Sequence, residues 1–197
     1  MRTTVDSGLL VTERVRESAV VKQAMLADSN LLELVRELAE VCVNSLEQGG
    51  KLLLFGNGGS AADAQHLAAE LVGRYLRDRR ALPAIALTTN SSCVTAIGND
   101  YSYEEIFSRQ IEAFGNRTDV AIGISTSGNS RNIVRGMQVA RRVGMATAAL
   151  TGRTGGVLKG LVEYCLCIPS DETPRIQEGH ILIGHVVCEI IEESLAN

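Results

Sequence analysis

His66 and Glu70 stand four residues apart in the run GNGGSAADAQHLAAELVGRY, one turn apart on one face of a helix. An imidazole and a carboxylate so placed can share a divalent metal ion or work as an acid–base pair. The plainer reading of the same spacing is a surface hydrogen bond, with Glu70 and Arg74 as an exposed ion pair. Just upstream, Gly56-Asn57-Gly58-Gly59-Ser60 follows the apolar residues 52–55. The glycines allow positive φ and close backbone approach, and Ser60 is a suitable cap for the alanine-rich helix behind it. Strand end, glycine turn and helix start together offer free N–H groups and a positive dipole end to an anion. The spacing is neither a Walker loop nor a G-x-G-x-x-G fingerprint, so a phosphate site and a tight strand-to-helix corner both remain open.

A second corner of the same kind, Ser125-Thr126-Ser127-Gly128-Asn129-Ser130, follows the apolar run 119–125. Its hydroxyls, with backbone donors at a helix start, can hold a phosphate without a lysine. The last predicted helix carries Arg175, Gln177, Glu178, His180 and His185 among mostly apolar neighbours. Polar groups on a buried side need partners or a task. His66, His180 and His185 are the three histidines of the chain.

These groups need a scaffold that brings both corners to one place. Apolar runs at 52–55, 83–88, 119–125, 146–150 and 164–168 read as strands. Helical patterns fall after the first corner and at 103–114, 133–143 and 174–195, the last with Pro174 suited to a first turn. A polar stretch at 89–92 follows the second strand, and Gly98-Asn99-Asp100 closes the segment after it. Strands that alternate with helices and consist of unbroken apolar residues indicate a doubly wound, five-stranded parallel sheet covered on both faces. Ligands of such sheets bind beyond the carboxyl ends of the strands, where both corners lie.

Residues up to about 48 read as two helices broken near Asp28-Ser29-Asn30. In the second, Leu31, Leu34, Val35, Leu38, Val41, Cys42 and Leu46 keep the helical period until Gly49-Gly50 ends it. This hairpin, residues 1–50, is expected to join residues 51–197 in one domain and to form the oligomer contact.

The length of 197 residues suits one domain with a substantial core. A net charge of -4 and a pI near 5.5 argue against nucleic acid as a partner. No apolar run reaches membrane-span length, and MRTTVDSGLL lacks a signal-peptide core, so no membrane role and a cytoplasmic location are expected. The five cysteines (42, 93, 165, 167 and 188) contain no C-x-x-C pair and read as buried small hydrophobes in a reducing compartment. Cys165 and Cys167, at strand spacing, should point to one face.

The runs GNGGSAADAQHLAAELVGRY, GISTSGNS and RIQEGHILIGH resemble the sugar isomerase (SIS) domain family and, within it, the phosphoheptose isomerases. The similarity extends from about residue 31 to 192. It implies interconversion of sedoheptulose 7-phosphate and D-glycero-D-manno-heptose 7-phosphate, for lipopolysaccharide or capsule synthesis. It also implies a cytoplasmic homotetramer with active sites shared between subunits and one zinc ion per subunit. By position, the metal ligands would be His66, Glu70, Gln177 and His185. Substrate contacts would come from Asn57, Gly58, Gly59, Asn99, Asp100, Ser125, Thr126, Ser127, Ser130 and Gln177, with Glu70 also touching substrate. Glu70 and His185 would be the catalytic acid–base pair. The family carries an acidic residue just before RIQE where this chain has Pro174, and Asp171 or Glu172 are the available substitutes.

On one continuous helix, Gln177 and His185 are separated by roughly 12 Å along the axis, too far to share a metal with ease. Either the helix begins after Gln177 or a neighbouring subunit completes the site; the second option also accounts for the helical hairpin. His180 is the alternative ligand. Glu70 faces two demands, since a carboxylate on zinc is a weaker base. Three rivals stand beside the isomerase: a non-catalytic SIS protein that binds the replication initiator, a sugar-phosphate sensor module, and an isomerase of another sugar phosphate. The first lacks the equivalents of Glu70 and His185, both present here, and the second usually carries a fused DNA-binding domain, for which this length leaves no room.

Overall fold

The computed structural model describes residues 6–196. Strands β1 (Leu52–Gly56), β2 (Ala84–Ala86), β3 (Val120–Ser125), β4 (Ala146–Thr151) and β5 (Tyr164–Cys167) form one sheet in the order β2-β1-β3-β4-β5. Every neighbouring pair is parallel. This is the expected doubly wound α/β architecture, and its strand order reverses direction between β1 and β3.

Side chains that alternate along each strand divide the core in two. Leu52 and Leu54 face one way, together with Ile122, Ile124 and Leu150, and are covered by α2 (Ser29–Glu47), α3 (Gly59–Val72) and α7 (Thr173–Leu195). Leu53 and Phe55 face the other way, beneath α5 (Ser108–Phe114) and α6 (Arg131–Val143). Helix α1 (Ser7–Ala27) leans on α7 with only Met25 buried, whereas α2 contributes Leu31, Val35, Leu38, Cys42 and Leu46 to the main core. Asp28 ends α1 and caps α2, accepting from the Leu31 N–H at 3.0 Å, as the predicted break required. Residues 1–5 of the expected hairpin lie outside the described residues.

Three local expectations are corrected, and the segment after β2, given no type from the sequence, is helical. Ser60 does not cap α3: Gly58, at φ 55°, is the cap residue, and Ser60 lies buried in the first turn. A left-handed backbone there requires glycine, and it lets the chain turn before a serine cap can form. The segment 103–114 is not one helix. A 3-10 turn (Tyr103–Glu105) precedes α5, because consecutive Ile106 and Phe107 both turn into the core. The polar stretch after β2 leads directly into a helix, α4 (Ser91–Asp100), capped by Asn90 on the Cys93 N–H. Of the cysteines, Cys42 and Cys188 are buried but Cys93, Cys165 and Cys167 are only half-buried, and all five are free.

Helices α3 and α7 run side by side in the same direction. Gly59 lies against Gln177 at one level, and Leu67 lies against Gly184 two turns on. A Cβ at position 184 would sit 2.5 Å from Leu67 Cδ2, so glycine sets how closely the helices approach. Gly184→Val is therefore expected to cost about 1–3 kcal/mol by overpacking. Urea unfolding should show this as a lower midpoint with an unchanged slope.

Candidate active site

The corners after β1 and β3 flank the point where strand order reverses, and side chains tie them together. Asn57 and Asn132 exchange two hydrogen bonds: Asn57 Nδ2 donates to Asn132 Oδ1 at 2.9 Å, and Asn132 Nδ2 donates to Asn57 Oδ1 at 2.8 Å. The Tyr103 hydroxyl also donates to Asn57 Oδ1, at 3.0 Å. In the second corner the Ser125 hydroxyl lies 3.0 Å from that of Ser130 and 3.5 Å from that of Ser127. Ser130 precedes α6 without capping it through its side chain, so three hydroxyls gather at an uncapped helix start. That is a suitable cradle for an anion. The Thr126 backbone carbonyl accepts from the Gly152 N–H at 2.9 Å, and Gln177 reaches the first corner at Gly59. Asn99 and Asp100, joined by a 2.8 Å hydrogen bond, end α4 three to four residues before Tyr103.

A second group forms on the helix pair. His66 Nε2 lies 3.0 Å from Glu70 Oε1 and 2.9 Å from His185 Nε2. Donor atoms of His66, Glu70 and His185 all lie within 4.8 Å of one another. Two ring nitrogens this close need a proton or a cation between them. Two imidazoles and a carboxylate form a donor set of the kind that holds catalytic zinc with one position open, so these residues fit the ion that the resemblance implies. The Tyr75 ring stacks on His185 with centroids 5.5 Å apart and planes 26° apart, while His66 lies on His185 at 5.0 Å and 54°.

A family model described as the SIS domain matches residues 18–152. The chain belongs to the SIS domain family. Its relatives within that family include the phosphoheptose isomerase of Sulfurimonas denitrificans, 51% identical over 94% of this chain and 95% of that protein. That of Burkholderia pseudomallei (strain K96243) is 52% identical over 94% of each. The solved phosphoheptose isomerase GmhA from Neisseria gonorrhoeae superposes with a TM-score of 0.88 at 42% identity, covering 94% of this chain and 98% of that one.

Within this SIS domain the predicted site residues other than Asn99 and Asp100, at the end of α4, fall into two places. Asn57, Gly58, Gly59, Ser125, Thr126, Ser127, Ser130 and Gln177 lie at the corners. His66, Glu70 and His185 lie farther along the helices, His66 being roughly 10 Å from Gly59 along the α3 axis. Because α7 starts at Thr173, Gln177 and His185 share one continuous helix, and the option of a helix beginning after Gln177 is ruled out. His180 is not at the metal group either. It is fully buried, with Nε2 3.0 Å from the Thr151 carbonyl oxygen and Nδ1 unpaired. Asp171 bonds Arg153 at 2.9 Å and Glu172 lies 3.7 Å from Arg14, so both carboxylates near Pro174 are engaged with surface cations.

Burial pushes the His180 imidazole down to about 4, against the hydrogen bond to Thr151, which favours the charged form. The unfolded chain then binds a proton near the ordinary histidine value while the folded protein does not. Stability is full above pH about 6.5 and falls as pH drops from there toward about 4. His180→Leu should flatten that part of the curve, measured as the difference between variant and parent in unfolding midpoint against pH.

Sequence reasoning missed Tyr75, Asn132, Tyr103 and the pair Arg79–Glu192. Glu192 is 1% exposed and accepts from the backbone N–H groups of Tyr75, Leu76 and Arg77 at 2.9, 2.6 and 2.7 Å. Arg79 donates to the carbonyl oxygens of Glu70 and Leu71 at 2.7 and 2.8 Å, satisfying the open end of α3. A carboxylate at position 192, on the stripe of Val187, Cys188, Ile191 and Leu195, was the signal available for this pair.

Proposed function

We infer that this SIS domain protein is an aldose–ketose isomerase that converts sedoheptulose 7-phosphate to D-glycero-D-manno-heptose 7-phosphate through an enediol. The observation that carries the reading is the meeting of Glu70, His185 and His66, in a chain 51% identical to a phosphoheptose isomerase over nearly all of its length.

The reaction moves a proton from C1 to C2 and needs a base over those carbons and an acid at the carbonyl oxygen. In this reading the Glu70 carboxylate takes the C1 proton and returns it to C2. The His185 imidazole gives a proton to O2 as the enediol forms and accepts one from O1 as it collapses. Ser125, Thr126, Ser127 and Ser130, with the corner at Asn57, Gly58 and Gly59, hold the phosphate. Asn99, Asp100 and Gln177 contact the sugar. Phosphate binding remote from the reacting carbons orients them for proton transfer. His66, Glu70 and His185, completed by Gln177, would hold one zinc ion, which supplies Lewis-acid polarisation of the carbonyl. Glu70 would hold that ion only loosely, or change partner during turnover, leaving its carboxylate to act as the base.

The reading includes a homotetramer with shared sites and the helices of residues 1–50 at its contacts. Leu182 and Val186, either side of His185, are 38% and 37% exposed. They continue into Leu26 and Leu32 across an apolar groove, and α1 exposes Leu9, Leu10, Val11, Val15 and Val20. Exposed apolar surface of this kind favours a partner. In this reading a neighbouring subunit supplies the Gln177 that completes the ligand set, because the one on the same helix is separated from His185 by roughly 12 Å along the axis. Among the described residues no helix is long and apolar enough to cross a membrane. We assign the protein to the cytoplasm and its product to heptose supply for lipopolysaccharide or capsule.

The test is to incubate the zinc-loaded protein with sedoheptulose 7-phosphate and follow the sugar by NMR. Aldose phosphate should appear and should fail to appear with a chelator. Turnover of a different ketose phosphate in preference to this one would overturn the substrate assignment, and inertness toward all of them would overturn the reaction.

A further inference from the structure

On β5 the side chains of Cys165 and Cys167 lie on the same side of the strand, with their Sγ atoms 3.8 Å apart. The Thr151 hydroxyl donates to Cys167 Sγ at 3.4 Å and lies 3.7 Å from Cys165 Sγ. Both thiols are half-buried and free. A hydrogen bond from Cys165 holds the Cys167 thiol below its ordinary range, helped by Thr151 and Lys159 and opposed by burial. The Cys165 thiol is raised by the same partner. One sulfur is thus prepared as a thiolate and the other stays protonated beside it, the arrangement of an attacking and a resolving cysteine.

The thiols also lie beneath the support of the second corner. A Cβ on Gly155 would sit 3.2 Å from Cys167 Sγ, and a Cβ on Gly128 would sit 2.1 Å from the Gly155 carbonyl oxygen. The Leu158 N–H donates to the Gly128 carbonyl at 3.1 Å, and the Val157 N–H donates to Asn129 Oδ1 at 2.9 Å. Nothing separates the sulfur from residue 155, or residue 155 from the loop at 125–130, so a displacement of Cys167 is passed on by direct contact.

We propose that Cys165 and Cys167 form a disulfide-forming modification site for hydroperoxides, whose closure loosens the corner at residues 125–130. The Cys167 thiolate attacks one peroxide oxygen, breaking the O–O bond and releasing hydroxide, and becomes a sulfenic acid. The Cys165 sulfur then attacks Cys167 Sγ. Its proton and the sulfenic hydroxyl leave as water, and an Sγ–Sγ bond forms. The two thiols together lose two electrons, and hydrogen peroxide is reduced to two molecules of water. Residues i and i+2 of a strand have Cα atoms about 6.6 Å apart, near the upper limit of about 6.8 Å for a disulfide. The bond therefore forms only if β5 gives way at its end, and a dithiol reduces it readily.

Only the effect on turnover rests on the isomerase reading; the oxidation and the loop response do not. The full-length protein is treated with hydrogen peroxide, alkylated, digested with trypsin and weighed. The peptide 160–175 should appear lighter by two hydrogens and unalkylated, before Cys93 reacts. Hydrogen exchange in peptides covering 125–131 should then rise about tenfold, return with dithiothreitol, and stay unchanged in Cys165→Ser. A raised KM for sedoheptulose 7-phosphate should accompany it, with kcat less affected. Oxidation that starts at Cys93, a peptide 160–175 that remains a dithiol, or a closed disulfide with unchanged exchange at 125–131 would each overturn the proposal. An oxidised protein with the loop response but no isomerase activity in either state would instead count against the isomerase reading.

Discussion

Glu70→Gln is expected to lower kcat by about 10²–10⁴-fold while KM for the ketose phosphate stays within a few-fold of the parent. The amide keeps the size and an oxygen of the carboxylate but cannot accept the C1 proton. The corner proposed to hold the phosphate begins at Gly59, roughly 16 Å from Glu70 along α3, so ground-state binding has little reason to change. Because the side chain also belongs to the candidate metal group, zinc content has to be measured in the same preparation. Loss of turnover with zinc retained supports Glu70 as the base. A kcat within tenfold of the parent would remove it from that role whatever the metal content.

The second large effect concerns stability. Glu192→Ala should destabilise the fold by about 3–5 kcal/mol, because it leaves a buried guanidinium without its counter-charge. Arg79 and Glu192 side chains are 1% and 2% exposed, with Arg79 Nε 3.3 Å from Glu192 Oε1 at an angle too poor for a hydrogen bond. Burial alone would raise the Glu192 carboxyl. The three backbone N–H groups and Arg79 outweigh it and hold the carboxyl below the usual carboxylate range. That stability is present above the ordinary carboxylate pKa and is lost as pH falls through the lowered folded value. For a chain of this size the alanine variant should melt roughly 10–15 °C lower. The double variant Arg79→Met/Glu192→Leu should recover much of the loss, since an apolar pair leaves no buried charge. A melting temperature within a few degrees of the parent for Glu192→Ala would show that the pair holds nothing together.

The same pair shows why part of the site was hidden from sequence. Glu192 holds Tyr75 through its N–H, and the Tyr75 ring stacks on His185. The residues are 117 positions apart, and no local spacing links them. Asn57 and Asn132 are 75 apart and meet because the strand order reverses between their strands. Cys165 and Cys167 were recognised as facing one side, yet their position beneath Gly155 is a property of the packed loops.

What the sequence determined by itself is what depends on short-range physics. Unbroken apolar runs and the 3.6-residue period identified the strands and most helices, glycine and hydroxyl runs marked both corners, and the four-residue spacing put His66 and Glu70 on one face. Only the tertiary structure decided that His185 meets them. Closing that distance depends on Gly184 admitting Leu67, so that two parallel helices lie close enough for the rings to touch. It also decided that Gln177 stays at the first corner, against Gly59, and that His180 turns into the core. On a long continuous helix, neighbours a few residues apart face different surroundings, and only the packing of the sheet and adjoining helices says which is which.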